Sequence, residues 1–195
     1  LVNEAALNAA RHNKKKLSNL DFEQAKDKVL MGPERKSMVI SDKERLMTAY
    51  HEAGHTLVGM NLPHTDPIHK VSIMPRGGAL GVTQTLPNED MLSLTNVRAE
   101  NFIAFLMGAR CAEEIVYGQM TSGASNDIER ATSLARSMVC KWGMSEKMGP
   151  INYHKSGPSA FTGMGDSTDY SEKVAQEIDE EINRISVVTP YVKLN

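Results

Sequence analysis

The sequence predicts a mainly α-helical domain with one small β-sheet, and three observations lead there. Apolar residues recur at helical spacing in residues 42–60, 93–117 and 171–186, and a further helix is signalled from Ser125. Between 68 and 86 the composition changes to short β-branched runs around a glycine turn. With 195 residues, 41% of them hydrophobic and 24% charged, the chain holds one domain with a sizeable core, or one domain plus a fragment of another.

Residues 2–12 are alanine-rich with helical spacing. After a solvated turn at Lys14-Lys15-Lys16, Ser18 or Asn19 is expected to cap a second helix through Phe22, Ala25 and Val29. Gly32-Pro33 ends it, and 33–41 reads as a linker. Ser41-Asp42-Lys43-Glu44 then has the form of a capping box: the Ser41 hydroxyl accepts from a free backbone N–H and the Glu44 carboxylate reaches back. No proline follows until Pro63, so one helix runs to about Met60. Leu46, Met47, Tyr50, Leu57 and Val58 are its expected buried stripe. Val71–Met74 and Gly81–Leu86 read as strands flanking the Arg76-Gly77-Gly78 turn. Helical spacing returns from Ser93 to Tyr117, with Gly118 as the C-cap, and again from Ser125 to Trp142. The Gly-, Ser- and Pro-rich segment 155–169 predicts a mobile surface loop, and 171–186 a final amphipathic, acidic helix.

The formal net charge of −2 offers no overall attraction for nucleic acid or an anionic membrane. Cys111 and Cys140 form no pair motif and read as reduced, intracellular thiols. No stretch approaches the ~20 apolar residues of a membrane span, and no signal-peptide pattern opens the chain. The start at Leu1-Val2-Asn3-Glu4, without methionine, suggests a piece of something larger.

The chemistry concentrates in His51-Glu52-Ala53-Gly54-His55. Residues four apart share a helix face, so both imidazoles can meet one metal ion. Glu52 follows the first histidine directly, where its carboxylate can reach an activated water without ligating the metal. Zinc lowers the pKa of a coordinated water to about 7, and a carboxylate can take its proton as it attacks a carbonyl. Gly54 between the histidines fits a place where another backbone or a substrate comes close.

A catalytic zinc site usually takes three protein ligands. Glu113 and Glu114 on one helix are candidates for the third, and so is Asp127 in the first turn of the next, where it also suits the helix dipole. A charged face or an ion pair with Arg110 explains the glutamates equally well. His12, His64, His69 and His154 have no partner at ligand spacing. Spacing alone leaves Asp127 and the two glutamates open.

Several motifs, in order and over nearly the whole chain, carry a resemblance. They are Lys26–Arg35, Thr48-Ala49-Tyr50-His51-Glu52-Ala53-Gly54-His55, Ile73–Gly77, Leu80-Gly81-Val82-Thr83, Gly108–Glu114, Thr121–Asp127 and Trp142–Lys147. Together they resemble the FtsH family of membrane-anchored, ATP-dependent zinc metalloproteases. The resemblance implies a helical zinc-metallopeptidase domain over 42–195, with 1–32 the C-terminal end of the AAA+ helical lid and 33–41 the linker. It implies one zinc per chain on His51, His55 and Asp127, with Glu52 as the general base and Glu113 and Glu114 in support. ATP would be used only in an upstream module, since this chain has no Gly-x-x-x-x-Gly-Lys-Ser/Thr loop. It further implies unfolded or membrane-protein substrates, a homo-hexamer, and a bacterial inner membrane with the peptidase on the cytoplasmic side; an organelle membrane is the alternative. Gly81, Val82 and Thr83 are the expected substrate-binding strand, pairing edge to edge with an extended peptide. A competing expectation is an inactive oligomerisation module, and a weaker one an amidase with the same metal chemistry. The β-branched, proline-containing stretch 186–195 departs from the family pattern and carries no family role.

Overall fold

Short polar side chains set where most of the helices begin. The computed structural model describes residues 1–87, 89–153 and 170–188; His154, the expected loop at 155–169 and residues 189–195 lie outside the described residues. Helix α1 (Val2–Arg11) turns back at His12 into α2 (Asn19–Met31). Ser18 starts α2: its N–H and hydroxyl both donate to Asp21, at 2.9 and 2.6 Å. The Lys14 ammonium donates to the other Asp21 oxygen at 2.7 Å. Lys14 first, then Ser18, draw the Asp21 carboxyl down to about 2 against the opposing effect of burial.

Helix α3 (Asp42–Asn61) begins with the expected capping box, in which Glu44 N–H donates to the Ser41 hydroxyl at 3.2 Å. Thr95 accepts from the Arg98 N–H at 3.3 Å to start α4 (Asn96–Tyr117), which ends at Gly118 in the left-handed region. A 3₁₀ turn at Ser122–Ala124 leads into α5 (Ser125–Cys140), and Ser171 caps α6 (Glu172–Asn183). A wide π-type turn, Arg184–Val188, prolongs α6 and buries Ile185. Up to Val188, then, the divergent C-terminal stretch continues the helix.

Helix α4 is the centre of the core. Its Ile103, Ala104 and Leu106 are buried against Ala135, Met138 and Val139 of α5, Ile178 and Ile182 of α6, and Val58 of α3. The α1–α2 hairpin buries Ala5, Ala9 and Ala25 in a small contact of its own. It is joined to the rest by ion pairs from Asp27 to Lys70 and Arg76.

The expected stripe of α3 is corrected. Leu46, Tyr50 and Leu57 are exposed, and the buried positions are Glu52, Gly54, His55, Val58 and Gly59. The cause is a close crossing of α3 over α4. A Cβ on Gly54 would stand 2.5 Å from the Gly108 carbonyl oxygen, and one on Gly108 would stand 2.6 Å from Val58 Cγ2. The face turned to α4 is therefore built from glycine and site residues, which leaves the large apolar side chains outside.

The sheet is two antiparallel strands, β1 (Ile68–Ser72) and β2 (Val82–Thr85), with Val71 opposite Thr83 and Ser72 opposite Val82. The first strand thus ends two residues before the expected Met74. The Ser72 hydroxyl accepts from the Met74 N–H at 3.1 Å, and Arg76 and Ala79 close the turn with paired backbone bonds. Among the described residues, the edge of β2 away from β1 has no strand partner.

Candidate metal centre

One turn of α3 presents His51 and His55 together, with ring centroids 5.0 Å apart and planes near perpendicular. Helix α4 fixes both rings through their Nδ1 atoms. His51 Nδ1 meets Glu113 Oε1 at 2.8 Å, and His55 Nδ1 meets the Phe105 carbonyl oxygen at 2.9 Å. A carbonyl oxygen only accepts, so His55 Nδ1 carries a proton and Nε2 is the ring nitrogen turned to the metal position. The Phe105 ring also stacks on His55, at 5.1 Å between centroids. Such outer partners hold imidazoles in the tautomer and orientation that a metal ion requires.

Asp127, in the first turn of α5, completes the group. Its Oδ2 lies 3.4 Å from His51 Nε2 and 3.5 Å from His55 Nε2. A tetrahedral ion with bonds of about 2.0–2.1 Å spaces its donors roughly 3.3–3.4 Å apart, so these separations fit one ion. His51, His55 and Asp127 can hold a metal, all three donor atoms lying within 4.8 Å of one another. Glu113 ties the pieces together: buried on α4, it also accepts from Thr121 N–H at 3.0 Å and Thr121 Oγ1 at 3.2 Å, fixing the turn that leads into α5.

The electrostatics favour a cation. Burial alone would lower the His51 pKa, yet hydrogen bonds to Asp127 and Glu113 and the Glu52 charge lift it to about 9. Burial would raise Asp127, but the two histidines hold it well below the ordinary carboxylate range. Buried carboxylates thus hold a proton on His51 where a metal ion would compete for the same lone pair.

Glu52 lies beside the donors without joining them. Its Oε2 accepts from the Thr83 hydroxyl at 2.6 Å. Burial pushes its carboxyl upward, opposed by Thr83 and the charges of His55 and His51. Glu52, the three donors, Glu113 and the 81–83 segment all line one open cleft of about 740 Å³.

The expected residues therefore converge, with one separation. Glu113 enters the site through His51, whereas Glu114 turns outward, 3.8 Å from Arg110. His12 bonds back to the Asn8 carbonyl and His69 stands 3.9 Å from Glu23, so neither joins, and His64 lines a different pocket. Sequence reasoning missed the Phe105 carbonyl, Thr121 and the Thr83–Glu52 bond. A backbone carbonyl leaves no sequence signal; Thr121, two residues before Gly123 at a helix entrance, was a readable capping position.

Residues 38–190 match the sequence profile of Peptidase family M41, about four-fifths of the chain. The chain belongs to this family. M41 is a metallopeptidase family, in keeping with a centre of two histidines and an aspartate. The chain is 61% identical over 188 residues to the ATP-dependent zinc metalloprotease FtsH 1 of Bdellovibrio bacteriovorus, covering 95% of the chain and 29% of that relative. It is 54% identical over 189 residues to the FtsH of Myxococcus xanthus, covering 96% and 30%. With the FtsH of Haemophilus influenzae it shares 50% over 189 residues, covering 95% and 30%. The chain thus spans less than a third of the length of these M41 relatives. No helix among its described residues is long and apolar enough to cross a membrane.

Proposed function

We propose that this chain is the peptidase part of an ATP-dependent zinc metalloendopeptidase, with zinc on His51, His55 and Asp127 and Glu52 as general base. The observation that carries this reading is the convergence of two Nε2 atoms and one carboxylate oxygen beside an independently held glutamate, in one open cleft. Zinc supplies Lewis-acid chemistry there, acidifying water and polarising a carbonyl. Glu52 takes the proton of the attacking water and returns it to the leaving amine nitrogen. The Nδ1 bonds of His51 and His55 keep both rings aimed through this cycle. The free edge of β2 holds the peptide extended by backbone hydrogen bonds, which are indifferent to side-chain identity. That indifference suits unfolded or membrane-protein substrates delivered by an ATPase.

The hairpin α1–α2 is read as the end of the AAA+ lid, covering residues 1–32, with 33–41 as linker. ATP then acts in an upstream module, and the full-length protein works as a homo-hexamer. Its place is a bacterial inner membrane, with the peptidase on the cytoplasmic side, as the bacterial wording of residues 31–40 suggests. The test is Glu52→Gln: zinc should remain at about one per chain while casein cleavage falls below detection. A variant that digests casein at the normal rate contradicts the assignment of the base. Wild-type protein with well under one zinc per chain, not restored by added zinc, would favour the inactive module instead.

A further inference from the structure

We infer that Thr83 is a positioning residue for Glu52: its hydroxyl fixes the general base, so that strand β2 both lines the cleft and sets the base in place. The inference rests on the proposed role of Glu52 and adds a role for a side chain that so far belongs only to the substrate strand. The Thr83 hydroxyl donates to Glu52 Oε2 at 2.6 Å and lies 3.2 Å from the Glu52 backbone oxygen, so it meets both ends of one residue on α3. Bonds from a neutral hydroxyl to a carboxylate at this distance belong to the strong, charge-assisted class. Oε1 carries no hydrogen bond among the described residues, so Thr83 selects which oxygen is anchored and which is free to take a proton.

Gly81 makes the approach possible. A Cβ there would stand 2.5 Å from Glu52 Oε1 and 2.7 Å from Thr48 Cγ2. With any larger residue at 81, β2 or the carboxylate would have to withdraw. Thr83 faces Val71 across the sheet, so its backbone is held by β1 while its hydroxyl is committed to Glu52. The side chain is therefore engaged, and only the outer backbone edge of β2 remains for a peptide. A catalytic group misplaced by about 1 Å can lose roughly 100-fold in rate, which gives one hydroxyl leverage over the proton transfer.

The test compares Thr83→Val, which keeps the shape and removes the hydroxyl, with Thr83→Ser, which keeps the hydroxyl. Kinetics on casein with zinc-loaded protein should show kcat down roughly 10- to 100-fold in Thr83→Val, with KM changed by less than about 2-fold. Zinc content should stay at one per chain, and Thr83→Ser should recover most of the rate. Crystal structures of both variants without zinc supply a readout independent of activity: the Glu52 carboxylate should leave its position in Thr83→Val and keep it in Thr83→Ser. An unmoved carboxylate in Thr83→Val, a wild-type kcat, or a Thr83→Ser variant as impaired as Thr83→Val overturns the inference. If Glu52→Gln itself retains normal cleavage, the reading of Glu52 as base fails instead, which the same set of assays distinguishes.

Discussion

Glu113 shows how much of this candidate site depends on a residue outside the three candidate donors. It accepts from Thr121 through one oxygen and meets His51 and Thr121 through the other. In Glu113→Gln one end of the side chain becomes an N–H donor, and it must face either a second donor at Thr121 or the His51 ring. Zinc affinity should fall about 10- to 100-fold, read by competition with a chromogenic chelator. Another buried carboxylate, Glu181, does not line the cleft. It accepts from Ser145 at 2.7 Å and from Arg184 at 2.8 and 2.9 Å. Arg184 chiefly, with Ser145, holds its pKa below the ordinary value despite burial. A carboxyl lowered on folding adds stability that is complete above its unfolded pKa and is lost as pH falls through its folded pKa. Glu181→Gln should therefore destabilise by about 1–3 kcal/mol at pH 7. Urea denaturation across pH should show that deficit shrinking below about pH 4.

At the scale of elements, the crossing of α3 and α4 decides where the two candidate histidine donors stand. Gly54→Ala would drive a methyl group into the Gly108 carbonyl and the Ala109 backbone. We expect a loss of about 1–3 kcal/mol in urea denaturation together with weaker zinc binding, because the helix segment carrying both histidines must move. Leu57→Gln, at a position 62% exposed, should change stability by less than about 0.5 kcal/mol. This contrast marks what the sequence reveals and what it hides. Caps at Ser18, Ser41 and Thr95 act within three residues, and His51 and His55 within one turn, so a local pattern discloses them. The buried face of α3 is set by a neighbouring helix, and counting apolar residues picked Leu46, Tyr50 and Leu57 instead. The end of β1 turned on one Ser72 hydroxyl, which no strand propensity weighs. Asp127 and Thr83 reach the site across 72 and 31 residues of chain from His55 and Glu52. Spacing left Asp127 level with Glu113, and only the resemblance favoured Asp127. In the fold Asp127 Oδ2 lies 3.4 and 3.5 Å from the two Nε2 atoms, whereas Glu113 meets His51 at Nδ1.

At the scale of the whole molecule, the candidate centre links α3 to α5 over the top of α4. Helix α5 packs on α4 through Ala131, Ala135 and Met138, while its first turn reaches α3 through Asp127. Metal binding should therefore stabilise the fold as a cross-brace, by about 2.7 kcal/mol at free zinc 100-fold above Kd. Chelation should lower Tm and speed amide exchange first around residues 121–130, in a differential hydrogen-exchange experiment. The α1–α2 hairpin, held through Asp27 and its ion pairs, should be unaffected by the metal. The most direct measurement is anomalous diffraction at the zinc edge from zinc-loaded crystals. One strong peak per chain is expected, within bonding distance of His51 Nε2, His55 Nε2 and an Asp127 oxygen, with Glu52 and Glu113 outside that shell. A peak ligated by Glu113 or Glu52 in place of Asp127, or no peak between the two histidines, would contradict it.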